Sequence, residues 1–155
     1  MWRRQKGKKP IMEQAADLLA RQEHSTAKLR EKLKRRGYED EEIETAIAKL
    51  TAAKYLNDED ACQRAFAYFY AENRLSVRKI LQKLIQRGFE RELVSSCVPE
   101  DIAEHEFKAA LYTLKHKFRS MVPKEKMQQH LYLHGFGGTA RRQAIEQFII
   151  EMQEK

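Results

Sequence analysis

Apolar residues along this chain recur at steps of three and four, the spacing that lines one face of an α-helix. Residues 11–22 carry Ala15, Leu18, Leu19 and Gln22 in that register, and residues 25–36 carry Leu29 and Leu33. A third stretch opens on Glu39-Asp-Glu-Glu42, where negative charge suits the positive end of a helix dipole, and continues with Ile43, Ala46, Ile47 and Leu50. The pattern then restarts. After Tyr55-Leu56-Asn57-Asp58, a long helix carries Ala61, Ala65, Phe66 and Phe69; a second spans 76–87 and a short third follows over 90–97. Beyond Pro99, Ala103, Phe107, Ala110, Leu111, Leu114 and Phe118 mark another long helix. Pro123 opens the next, and the last buries Ala144, Ile145, Phe148, Ile149 and Met152. The prediction is an all-α chain of three tandem three-helix repeats, forming an elongated, curved modular array. A basic flexible arm occupies 1–10, and the repeats occupy 11–54, 55–98 and 99–155.

The middle helix of each group repeats one sequence. It runs Ser25-Thr-Ala-Lys-Leu-Arg-Glu-Lys-Leu-Lys-Arg-Arg-Gly37-Tyr38, then Ser76-Val-Arg-Lys-Ile-Leu-Gln-Lys-Leu-Ile-Gln-Arg-Gly88-Phe89, then more loosely from Pro123 to Gly135-Phe136. Each copy has a helix starter, an apolar pair four residues apart, and glycine followed by an aromatic ring. The serines predict N-caps and the glycines left-handed stops. Gly135-Phe136-Gly137-Gly138 predicts a looser turn than its two counterparts. A period near fifty residues marks a repeat architecture, so function belongs to what the repeats present together.

Composition narrows the partner. The 155 residues are 42% apolar and 34% charged, with a net charge of +7, which favours nucleic acid or an acidic protein surface. No apolar run approaches the roughly twenty residues of a membrane span, and the basic start lacks the apolar segment of a secretory signal. Cys62 and Cys97 match no metal spacing and read as small apolar groups in a reduced, cytoplasmic protein.

Catalytic patterns are weak. Gly135 to Thr139 lacks the Gly-Lys-Ser/Thr ending of a phosphate loop. His130 and His134 sit one helical turn apart, but no glutamate follows His130 and no third ligand is evident. His105 and His116 lie among charged residues and read as surface. The expectation is a protein that is not an enzyme and has no metal or cofactor.

The positive signal is positional. Nine, five and one residues before each glycine stand Lys28, Lys32 and Arg36, then Lys79, Lys83 and Arg87, then Lys126, His130 and His134. Steps of four put each trio on one side of its helix, beside the apolar pair. Stacked repeats would present these as a cationic stripe, strongest in the first two copies because histidine is mostly neutral near pH 7. The alternative is that lysine stems merely cover apolar helix edges. Phe66 and Phe69 are assigned to the core, whereas Tyr68 and Tyr70 fit either a core edge or base stacking.

Taken together, these residues resemble the RecX family of bacterial recombination regulators. The resemblance lies in His24-Ser25 with Leu29 and Leu33, Gly37-Tyr38, the run Tyr55-Leu56-Asn57-Asp58 followed by Phe66 and Arg74, and Leu131 with Gly135-Phe136. It covers about residues 11–150. The chain departs from the pattern at Lys28, where a glutamate would complete a capping box, at Gly137-Gly138, and at Arg141, which replaces the apolar residue seen as Ile43 and Val94. The resemblance implies a monomeric regulator that binds RecA filaments on single-stranded DNA. It would restrain their ATP hydrolysis, strand exchange and cleavage of the SOS repressor, in DNA repair. Single- or double-stranded DNA is a further expected partner, and a direct helical DNA-binding module is the alternative.

Overall fold

The computed structural model describes residues 7–155, which form nine α-helices and no strand. The first triplet is α1 (Ile11–Arg21), α2 (Thr26–Arg35) and α3 (Asp40–Ala52); the second is α4 (Asp58–Ala71), α5 (Val77–Gln86) and α6 (Arg91–Ser96). The third is α7 (Ala103–Lys117), α8 (Lys124–Leu133) and α9 (Gly138–Gln153). Helices in broad contact belong to one triplet, and each triplet has its own apolar cluster. Leu29, Leu33, Ile43 and Leu50 anchor the first, joined by Leu56 from the connection to α4. Ile80, Leu84 and Val94 anchor the second; Met127, Leu131 and Phe148 anchor the third.

The three glycine turns are the same turn. Gly37, Gly88 and Gly135 take φ of 87°, 91° and 86°. Each donates its N–H three residues back, and the following ring residue donates to the carbonyl five residues back (Tyr38 to Leu33, Phe89 to Leu84, Phe136 to Leu131). That is the paired bond of a Schellman motif, sealed by the buried aromatic. The looser turn expected at Gly135 is therefore not present. Gly137 takes the N-cap place held by Glu39 and Glu90, so α9 begins three residues after its glycine, as α3 and α6 do. Arg141 is accommodated because its Nη1 donates to Phe136 O (2.7 Å) and its Nε to Gln128 (3.0 Å).

Neighbouring triplets meet through polar contacts that also repeat. Ser25 Oγ accepts the Lys28 N–H as an N-cap and donates to Arg87 O at the end of α5 (2.7 Å). Ser76 Oγ accepts from Lys79 and donates to His134 O at the end of α8 (2.7 Å). Next to each serine, an N–H without a helical partner finds a carboxylate on the following triplet: Thr26 to Asp58 (2.7 Å) and Val77 to Glu106 (3.3 Å). These carboxylates satisfy the first free N–H of each helix from another repeat, whereas a capping-box glutamate would have bonded the N–H of the serine itself. The outer contact differs in kind. Glu23 forms a two-pronged ion pair with Arg64 at the first joint, and Arg74 lies 5.3 Å over the Tyr112 ring at the second.

Two side chains are not where the sequence places them. His105 is buried, not on the surface: it stacks on Tyr70 at 4.1 Å, donates Nε2–H to Leu75 O (2.8 Å) and meets the Asn73 amide at 3.1 Å. The polar ends of the α4–α5 connection offer it partners, so burial leaves no ring nitrogen orphaned. Phe69 is half-buried at the edge of its cluster, because Arg87 and Lys83 lie over its ring. Of the basic arm, residues 1–6 lie outside the described residues. Lys8 donates to Gly37 O, and Lys9 pairs with Asp17 at 2.8 Å while its carbonyl accepts from Tyr38.

Candidate functional site

The joints decide where the predicted cations go. Each serine sits at the start of one middle helix and bonds the last carbonyl of the next, so α8 meets α5 and α5 meets α2, tail to head. The basic positions therefore run from the third copy through the second into the first. At the first joint this brings Arg87 into the field of Lys32 and His24.

The residues are not equally free. Lys28 pairs with Glu31 one turn on, at 3.2 Å. Lys32 Nζ donates to His24 Nε2 at 2.8 Å, while His24 Nδ1–H donates to Gln22 O at 2.8 Å. Burial holds the Lys32 ammonium below its ordinary value, and Lys28, Arg36 and Arg87 add repulsion. Arg36 is exposed on the wall of a groove of about 560 Å³ that also includes His24 and Lys32. Lys83 and Arg87 stand over Phe69 with Nζ and Cζ 5.6 and 5.0 Å from its centre. Lys79 is half-buried and Lys126 exposed. His130 and His134 are half-buried and engaged with neighbours: their rings lie 4.2 Å apart, His130 packs on Phe118, and His134 Nδ1–H donates to His130 O at 2.7 Å.

Arg21 and Arg64 join this surface without belonging to the repeated sequence. They come from α1 and α4, where no periodic signal marks them, and the first joint brings them beside Arg87. Among the described residues, no group of three or more His, Cys, Asp or Glu has the arrangement of a metal site. No helix among them is long and apolar enough to cross a membrane.

Three histidines make the fold sensitive to acid. Burial pushes His24, His105 and His130 below the ordinary value of 6.5, helped at His24 by Lys32 and Arg87 and at His130 by His134 and Lys117. The unfolded chain then binds protons that the folded chain refuses. Their contribution is complete above that value and is lost as pH falls from there through the lower folded values. Glu106 has the opposite sign, since burial raises it and the folded state protonates first. Three groups against one predict lower stability at about pH 5.5 than at about pH 7.5 in urea titrations. The difference should shrink in a His24→Gln/His105→Gln variant; an equal difference there would assign the acid sensitivity to other groups.

Known proteins share this architecture. The family model described as RecX, first three-helix domain, matches residues 12–50. The regulatory protein RecX of Caldanaerobacter subterraneus subsp. tengcongensis is 31% identical over 125 residues, covering 77% of this chain and 60% of that protein. The match thus spans less than two thirds of that relative's length. The regulatory protein RecX of Thermotoga sp. strain RQ2 is 31% identical over 114 residues, covering 72% of this chain and 67% of that protein. The crystal structure of RecX from Lactobacillus salivarius superposes with a TM-score of 0.68 at 15% identity, covering 90% and 95% of the two chains.

Proposed function

This chain belongs to the RecX family of regulatory proteins, and on that premise we propose that it binds the RecA filament on single-stranded DNA and restrains it. The observation that carries this reading is the repeated joint. Three helices of like sequence are held tail to head, so one kind of surface recurs along the molecule. A helical filament presents one kind of surface at each protomer, and recurring patches suit it better than a single pocket would. The partner face is the cationic series Lys28, Lys32, Arg36, Lys79, Lys83, Arg87 and Lys126, and inhibition comes from occupying the filament and opposing its growth and turnover. No bond chemistry is required of any residue.

The test is RecA ATP hydrolysis on single-stranded DNA with this protein far below the RecA concentration. Hydrolysis should fall, and at that ratio sequestering the DNA is too small an effect to account for it. Hydrolysis unchanged at every ratio would sink the proposal. Reversing Lys32, Lys83 and Arg87 to glutamate should weaken filament binding by about tenfold or more, because each attraction becomes a repulsion. Circular dichroism should show the helices intact. Binding that survives the triple reversal would return these cations to ordinary surface.

A further inference from the structure

We propose that the groove at the first joint is a binding site for single-stranded nucleic acid, with Tyr68 as the platform for a base. The site does not depend on the recombinase reading, because it is complete within this chain. The groove measures about 620 Å³ and lies where α1, α4 and the end of α5 converge. Its floor is aromatic: Tyr68 is 63% exposed, with its ring set edge-on against Phe69 at 5.4 Å. Phe69 is in turn held by the guanidinium of Arg87, so the platform rests on a fixed support. Such an exposed ring beside cations is the arrangement that stacks unpaired bases.

Charge around the platform is one-sided. The one carboxylate on the groove wall, Glu23, is already bound by both prongs of Arg64, at 2.6 and 3.1 Å. Arg21 and Arg87 face the same space. Arg21 also borders the adjoining groove, whose wall carries Lys32 and Arg36. A strand with one base on Tyr68 would pass its phosphates along Arg21 toward Arg36. An acidic protein segment would satisfy the arginines but leave the open aromatic face unused. Duplex DNA would satisfy the arginines too, but its base faces are hidden in the stack. Alternating planar and anionic groups are what the groove matches.

Fluorescence anisotropy of a labelled oligothymidylate of about fifteen nucleotides, without any recombinase, tests the site. Wild-type protein should bind it, with affinity falling as salt rises. Tyr68→Ala should weaken binding by about 5- to 100-fold, the range for one lost stacked base, and Tyr68→Trp should keep it. An abasic strand of equal length should bind the wild type and Tyr68→Ala alike. The exposed position lets the substitution leave the core intact, which circular dichroism checks. Three results would overturn the site: no binding of oligothymidylate, equal affinity in Tyr68→Ala, or displacement by duplex DNA or polyglutamate as effective as by the single strand. None of them bears on the ATPase result, so the two proposals fail separately.

Discussion

Gly88→Ala is expected to destabilise the protein by about 2–4 kcal/mol, roughly twice the loss from Gly37→Ala. Both glycines hold left-handed backbone, so an alanine at either costs about 1–2 kcal/mol of conformational strain. They differ in what a methyl group would meet. At Gly88 it would lie 2.5 Å from Ser25 Oγ, a buried hydroxyl that cannot withdraw without breaking its bonds to Lys28 N–H and Arg87 O. At Gly37 it would meet only the far end of the Lys8 side chain, which can swing away. Gly135 falls between them, with Ser76 Oγ at 2.8 Å. Thermal and urea melts of the three alanine variants should rank in that order. Ser25→Gly combined with Gly88→Ala should be milder than the sum of the two, because a glycine N-cap loses little and removes the obstructing atom. Equal losses at Gly88 and Gly37, or strict additivity, would mean that the serine and glycine do not bear on each other.

That coupling marks the boundary of what the sequence makes legible. N-caps, apolar periodicity and glycine stops are local physics, readable from a few neighbouring residues, and the nine helices of the described residues follow from them. The second use of Ser25 and Gly88 is a contact across 62 residues between Ser25 and Arg87, and nothing in the local pattern encodes it. His105 was unreadable for the same reason: its charged neighbours Glu104, Glu106 and Lys108 suggest surface, while its partners Leu75 and Asn73 come from another triplet. Gly137-Gly138 pointed to a looser third turn, yet the backbone bonds of the Schellman motif do not depend on either glycine. The cationic positions recur in the sequence, but the pairing of each was not legible there: Lys32 is tied to His24 and Lys28 to Glu31.

The second large effect concerns how far damage travels. Phe148→Ala empties the centre of the third cluster, where the ring is packed with Met127, Leu131 and Ala144 and is essentially inaccessible to solvent. The expected loss is about 3–5 kcal/mol, from the lost transfer energy and the cavity left behind. In a single cooperative core, that loss would lower the protection of every helix equally. Here the apolar clusters are separate, and the triplets meet through hydroxyl, carboxylate and guanidinium contacts worth about 0.5–3 kcal/mol each. Hydrogen exchange should therefore show α7, α8 and α9 losing protection in Phe148→Ala while α2 and α3 keep theirs. The α5 helix should respond in between, because its Ser76 and Val77 bond to His134 and Glu106 of the damaged unit. A uniform loss across all nine helices would show that the joints transmit as much free energy as the cores hold. The graded response is the expected one, because a serine hydroxyl and a carboxylate couple neighbours far more weakly than Phe148 couples the helices around it.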